Sequence, residues 1–384
     1  MQRRTLFQLA TAAAVLRRGV AAQQAQRAQP QAAPPAPQPP RRMGLGFGGH
    51  SEPFPAPDMR AAVAIAHGGG RRKNVYNALK AIDKDLRARM QGKRYAVIKP
   101  NFVNTENQLA STHADSIRGI LDYLAESFPG PVVIAESSAG DTREAFANFK
   151  YPALTSEYRK QQLKLIDLND EARYERIALL DADLHIQPCR IAARLVDPEA
   201  FVISAAMLKT HNTVIASLGI KNMVLGAPLH QANGERPQWN EKRKYHVGLR
   251  QTHYNMMVTA QRLNWGATVI DGHEGMEGNG PNSGTPVPSR IALASTDIVA
   301  ADRVAAETMG IDPEWLGYVK YCAAIGLGQF DPARIEVIGP KVADVKKAYR
   351  MHPDIDRELQ WQGPLTELPF NLGWVRPLGG EKLA

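Results

Sequence analysis

The chain has 384 residues, 44% of them hydrophobic and 22% charged, a balance typical of a globular protein long enough to bury a sizeable core. Its formal charge of +9 is concentrated at the start, where seven arginines (Arg3, Arg4, Arg17, Arg18, Arg27, Arg41, Arg42) and no acid precede Met43; without them the 47 basic residues fall to 40, against 38 acidic. So neutral a body lacks the basic face that nucleic-acid binding requires, two cysteines are too few for a cysteine-ligated iron–sulfur cluster or a four-cysteine zinc site, and no apolar run reaches the ~20 residues of a membrane-spanning helix.

Residues 1–22 read as an export signal. Arg3-Arg4, Thr5, Leu6 and Phe7 open a short apolar run to Leu16, and Val20-Ala21-Ala22 offers small residues for cleavage. The pattern resembles the twin-arginine signal of the bacterial pathway that exports folded proteins, with Arg17-Arg18 after the apolar run as a departure. It implies a periplasmic or otherwise extracytoplasmic location. Residues 23–60 form a proline-rich linker; the stretch 23–42 alone holds six prolines and no large apolar side chain, so it is expected to stay disordered. Gly44, Gly46 and Gly49 spell G-x-G-x-x-G, but neither a strand before them nor a helix after them is expected, which rejects a dinucleotide fingerprint.

From residue 61 the pattern alternates strand and helix. Ala61–Ala66 is a short buried strand, followed by His67-Gly68-Gly69-Gly70-Arg71-Arg72-Lys73 and a helix over 74–90. That turn can cradle an anion at the helix start or can simply be tight, with solvated arginines. Tyr95–Lys99 is the next strand, ending at Pro100-Asn101; Thr112-His113 introduces a helix over 114–128, capped by Thr112 or Asp115; residues 131–135 form a strand ending at Glu136. Further strands are expected at Leu163–Leu168, Ala200–Ala205, Ala267–Asp271, Ile291–Ala294 and Arg334–Ile338. Helices are expected at Tyr245–Leu263, with His246, Arg250 and His253 on one face, at Thr296–Met309 and from Pro313. Residues 61–339 therefore read as one α/β domain, a mainly parallel sheet with helices on both faces in Rossmann-like layering, and 340–384 as a C-terminal extension. In such sheets ligands sit beyond the carboxyl ends of the strands. Lys99 and Asn101, Glu136, Lys209 and His211, and Asp271 and Glu274 all fall just past predicted strands.

The central stretch is Met207–Pro228, which sets Lys209, His211, Lys221 and Asn222 in an apolar run. Such groups are costly beside buried chain unless an anion or a carboxylate-rich metal site partners them. Either Lys209 binds an anion and His211 is a proton-transfer or metal-ligand imidazole, or the lysine is a surface residue and the histidine a core one bonded to backbone. The loop Asp271–Pro288 carries Asp271, His273, Glu274 and Glu277 among glycines; it either holds a divalent metal or is a lid with solvated acids. Asp297 suits a helix cap, while Asp302, inside a helix, needs a partner and is the better site candidate of the two. Cys189 and Cys322 can pair in an oxidising compartment, but two buried thiols are expected.

The ordered set Lys99-Pro100-Asn101, Thr112-His113, Lys209-Thr210-His211, Lys221-Asn222 and His246 is followed by further matching segments. These are Asp271-Gly272, Gly278-Asn279-Gly280-Pro281 with Gly284, Asp297, Asp302 and Gly326-Leu327-Gly328. Together they resemble the domain-of-unknown-function family 362 over residues 61–339. Exported members fit the twin-arginine signal, and relatives fused to ferredoxin-like segments hint at redox work, for which this chain lacks the cysteines.

The expectation that follows is an exported enzyme acting on an anionic small molecule. Lys209, His211 and His113 are its candidate catalytic residues. Lys99, Asn101, Lys221, Asn222 and Asn279 are expected to bind substrate, and Asp271, Glu274 and His246 to hold a divalent metal. The alternative is a non-catalytic periplasmic accessory or ligand binder working with a redox partner protein.

Overall fold

The computed structural model describes residues 58–231 and 239–362. The signal segment, residues 23–57 of the linker with the Gly44–Gly49 motif, and 363–384 lie outside the described residues. The strands are β1 (Ala61–His67), β2 (Tyr95–Lys99), β3 (Val132–Glu136), β4 (Lys164–Asp167), β5 (Tyr174–Leu180), β6 (Ile186–Ala192), β7 (Ala200–His211), β8 (Ile215–Ser217), β9 (Ala267–Glu277), β10 (Thr285–Val287), β11 (Ile291–Ser295) and β12 (Ile335–Ile338). The helices used below are α1 (Arg71–Ala81), α2 (Asp83–Met90), α3 (Ala114–Ser127), α4 (Thr142–Asn148), α5 (Pro152–Glu157), α6 (Gly219–Gly226), α7 (Leu249–Ala260), α8 (Ile298–Thr308) and α9 (Gly317–Ala324).

The main sheet runs β12-β1-β11-β9-β7-β2-β3-β4, with β8 paired to β7 and β10 to β9. Along the eight-strand path β11 alone is antiparallel to both neighbours; every other adjacent pair is parallel. Sheets of this kind are covered on both faces, and their central strands are correspondingly apolar throughout. All twelve residues of β7 are buried. Its side chains alternate between two cores: Phe201, Ile203 and Ala205 pack with α1 and α3, while Val202, Ala206 and Leu208 pack with α6, α7 and α8. The α/β architecture expected from the sequence is thus the observed one.

Three boundaries differ from expectation. The helix over 74–90 begins earlier and breaks at Ile82 into α1 and α2. Strand β7 does not stop at Ala205 but runs through Lys209 to His211, because β8 folds back and pairs Lys209 with Ser217 and His211 with Ile215. The glycine-rich loop from Asp271 is mostly strand as well: β9 continues to Glu277, and β10 pairs with it from Gly275 to Glu277. Its glycines meet packing needs. A Cβ at Gly272 would lie 2.6 Å from a Leu208 methyl, and one at Gly275 would lie 2.0 Å from the Tyr349 hydroxyl.

The described part of the C-terminal extension packs on the body. Glu358 accepts from Ile215 N at 2.8 Å, Trp361 donates to Trp315 O at 2.7 Å, and both side chains are buried. Among the described residues no helix is long and apolar enough to cross a membrane. Cys189 and Cys322 are both buried and unpaired, as two core thiols would be.

Candidate functional site

Strands β2, β3 and β7 end side by side, and α6 lies across their carboxyl ends. Its start is fixed from another part of the chain: Asp302, inside α8, accepts from Gly219 N at 2.7 Å and from Ile220 N at 3.0 Å. The partner that Asp302 needs is this pair of backbone donors; it is a buried cap outside the cavity lining and not a residue of the site itself. Burial outweighs those two bonds and pushes its carboxyl up to about 7. Asp297 caps its own helix, accepting from Val299 N and Ala300 N, both at 2.9 Å.

So anchored, α6 presents Lys221, Asn222, Leu225 and Gly226 to a cavity of about 450 Å³, while Ile220, Met223 and Val224 enter the core. The positions i, i+1, i+4 and i+5 share one helical face. Across the cavity stand Lys99, Asn101, Glu136 and His211 from the strand ends, Lys242, Arg243 and His246 from the segment before α7, and Pro281 and Asn282 beyond β9.

The floor is a closed polar network. The Lys99 ammonium donates to Pro100 O at 2.8 Å, to Asn222 Oδ1 at 2.9 Å and to Glu136 Oε2 at 3.0 Å. Three acceptors use all three of its N–H groups and hold it as a cation, although burial lowers its pKa against the pull of Glu136. Glu136 also accepts from Phe102 N at 3.1 Å and Ser137 N at 2.9 Å. Asn222 is oriented by donation to Ser204 Oγ at 3.0 Å, and its Oδ1 accepts from Asn101 Nδ2 at 3.2 Å as well. Gly226 makes room for the pair: a Cβ there would lie 1.8 Å from Lys99 Cε and 2.1 Å from its Nζ.

Lys221 is different. Its side chain lines the cavity with only 6% exposure, yet it has no hydrogen-bond or ion-pair partner among the described residues. Burial, reinforced by the Lys99 charge, pushes its ammonium down to about 7. Lys242, whose Nζ donates to Pro228 O at 2.7 Å and Leu225 O at 2.9 Å, is likewise pushed down by burial, to about 7.

His211 and His246 stack with ring centroids 6.4 Å apart and planes within 5°. Burial, followed by the charge of Lys221, keeps both neutral; His246 is pushed down to about 4. His211 Nδ1 accepts from Thr213 N at 3.0 Å, so its single ring proton resides on Nε2. The imidazole is therefore fixed as a hydrogen-bond donor, and ligating a metal through Nε2 would require giving up that backbone bond.

The structure divides the sequence-derived candidates. Lys99, Asn101, Lys221, Asn222, His211 and His246 share the cavity. Lys209 sits behind its wall, donating to Asn101 Oδ1 and to Ala110 O at 2.8 Å, so it positions Asn101 and does not face ligand. His113 is a helix cap: its Nδ1 accepts from Asp115 N at 3.0 Å at the start of α3, outside the cavity lining. Asn279 is exposed, and its neighbours Pro281 and Asn282 reach the cavity in its place.

The expected metal set does not come together. Asp271 is buried in an ion pair, 2.8 Å from Arg71 Nε, and Glu274 points to solvent from the extended β9, while His246 stacks on His211. Among the described residues the single group of three ligand-type side chains is Asp181, Asp183 and His185, far along the chain in the β5–β6 turn. His246 also precedes α7, so it shares no helical face with His253, which is buried against Tyr318 and Trp361. The arginines expected in the turn open α1 instead and are taken up by carboxylates, Arg71 by Asp271 and Arg72 by Asp122 at 2.6 Å. Lys242, Arg243 and Gly226 escaped the sequence reading. The run Glu241–Tyr245 beside His246 was the visible signal for the first two.

A layered α/β protein with a lysine-rich cavity at the carboxyl edge of its sheet is the class these features define. The profile of the domain of unknown function DUF362 matches residues 96–307, more than half of the chain, and the chain belongs to that family. It is 24% identical over 292 residues to a thylakoid-associated protein of Synechocystis sp., a match covering 73% of this chain and 80% of that relative. Among solved structures, a crystal structure of a Thermotoga maritima protein matches with a TM-score of 0.35 at 9% identity, covering 67% of this chain; the chain spans 60% of that protein's length.

Proposed function

We propose that the protein is an exported enzyme that binds a small anionic molecule, a carboxylate or phosphate, in the cavity above β2, β3 and β7. The observation that carries this reading is Lys221, a buried amine on the cavity wall with no partner among the described residues. Glu136, the one carboxylate in the lining among the described residues, is already engaged by Lys99, so Lys221, Lys242 and Arg243 leave the described lining with surplus positive charge. An anion supplies what they lack. His211 Nε2–H and the Asn222 carboxamide belong to the same lining and add neutral hydrogen-bonding groups.

The chemistry such a site supports is proton transfer. Lys221, pushed down to about 7, exchanges its proton near neutral pH, which suits a general acid or base. Export by the twin-arginine route, from Arg3-Arg4, belongs to the same proposal; the thylakoid-associated relative is compatible with a place outside the cytoplasm. Replacing Arg3 and Arg4 by lysines should retain the protein in the cytoplasm.

The test of the site is calorimetric titration with phosphate, lactate and malonate. Loss of one charge-assisted contact in Lys221→Met should weaken binding about 10–100-fold. Unchanged affinity in that variant would place the ligand elsewhere. Binding without turnover of any bound anion would favour the alternative, a ligand-binding accessory protein.

A further inference from the structure

Among the described residues three lysines line the cavity, and they differ in what holds them. Lys99 has all three N–H groups engaged, and Lys242 donates to two backbone carbonyls. Lys221 has no acceptor among the described residues, although its side chain is more than nine-tenths buried. A lysine meant to stay an ammonium in a sheltered wall is normally given acceptors. Leaving it bare beside a second, fixed cation favours the neutral amine, whose lone pair is then open to the cavity.

We propose that Lys221 is a carbonyl-reactive amine that forms an imine with an oxo acid, a small molecule bearing both a carbonyl and a carboxylate. This rests on the anion-site reading and narrows its substrate class. The carboxylate answers the charge of Arg243 and of the protonated form of Lys242, and the carbonyl answers the unprotonated Lys221 Nζ.

The Nζ lone pair attacks the carbonyl carbon, forming the N–C bond while the C=O π pair moves onto oxygen. After proton transfer from nitrogen to oxygen, the C–O bond breaks. The oxygen leaves as water with both hydrogens of the amine, and the C=N bond remains. One proton taken up from solvent gives the iminium, so no oxidant or reductant is required. His211 Nε2–H is a donor in the same lining for the developing oxygen charge. With its ammonium pushed down to about 7, roughly half of Lys221 is free amine at neutral pH, against fewer than about one in a thousand for an exposed lysine.

The experiment traps the imine on the unmodified protein. Glyoxylate or 2-oxoglutarate is added at pH 7 with sodium cyanoborohydride, and the reduced adduct is mapped by peptide mass spectrometry. Labelling at Lys221 should exceed that at any exposed lysine at least tenfold, should be suppressed by lactate, which has the carboxylate but no carbonyl, and should vanish in Lys221→Arg. Labelling at Lys221 no greater than at exposed lysines overturns the proposal, and this result needs no variant to fold. Thermal shifts with lactate and phosphate separate the two readings. Stabilisation by these anions without an adduct sinks the imine and leaves the anion site standing; neither stabilisation nor adduct sinks both.

Discussion

Gly226→Ala sets two physical effects against each other with opposite signs. Gly226 is the last residue of α6, where alanine is intrinsically better by up to about 1 kcal/mol. If helix propensity were all that mattered, the substitution would stabilise. The added methyl, however, would occupy space 1.8 Å from Lys99 Cε and 2.1 Å from Nζ, and 3.2 Å from Glu136 Oε1. Lys99 must then withdraw from Glu136, Asn222 and Pro100, leaving a carboxylate buried without its cation. Losing one partner of a buried pair costs about 3–5 kcal/mol, so the net expectation is a loss of about 2–4 kcal/mol. Urea unfolding monitored by circular dichroism reads this as a lower midpoint at unchanged slope. In a Lys99→Ala background the clash is gone, and adding Gly226→Ala should then be neutral or mildly stabilising. A Gly226→Ala protein as stable as its parent, or more so, would refute the account of the cavity floor.

Other expectations follow from the same geometry. Affinity for anions without a carbonyl, such as phosphate and lactate, should fall roughly tenfold per pH unit above about 7, because these ligands pair with the ammonium form of Lys221; calorimetry in buffers of different ionisation enthalpy should show proton uptake on their binding. The ligand-free protein should behave oppositely: a lysine whose folded pKa is depressed leaves the unfolded chain holding more protons between about 7 and 10.5, so this group's contribution to stability rises with pH across that window. His253 is fully buried with both ring nitrogens unpartnered and is pushed down to about 3. Its contribution is present above the unfolded histidine pKa of about 6.5 and is lost as pH falls towards 3, so His253→Leu should move acid unfolding to lower pH. Asp302→Asn places an NH₂ against one of two backbone donors and should cost about 1–3 kcal/mol in chemical denaturation.

The layering was legible because buried parallel strands are written as apolar runs: residues 95–99 and 132–136 end in the side chains that form the cavity floor. Lys99, Asn101, His211, Lys221, Asn222 and His246 could be named for the same reason, since strand ends and polar breaks in apolar sequence are local signals. What could not be read was pairing between distant segments. Lys209 and His211 are two apart in β7 and share a strand face by alternation, but the Lys209 ammonium is taken up behind the wall by Asn101 Oδ1 and Ala110 O, partners about 100 residues earlier in the chain. Glycine density made 271–288 look like a loop, although Gly272 and Gly275 mark where Leu208 and Tyr349 press on a strand. Asp271 drew a metal reading because its partner, Arg71, lies 200 residues earlier. Lys242 and Arg243 joined the site from a basic run that carries no spacing rule.

The cap that Asp302 places on α6 has a consequence for how such a site can change. Lys221, Asn222 and Gly226 ride on one short helix whose first turn is pinned by a carboxylate from α8. They behave as a single key with its teeth cut at fixed angles. Substituting one tooth alters what the cavity accepts while the others keep their places. Inserting one residue after Ile220 would turn the rest of the helix by roughly 100° and carry all three out of the cavity together. Variation in ligand choice is thus confined to exchange of side chains on α6, and length changes are tolerated only where the chain leaves the helix.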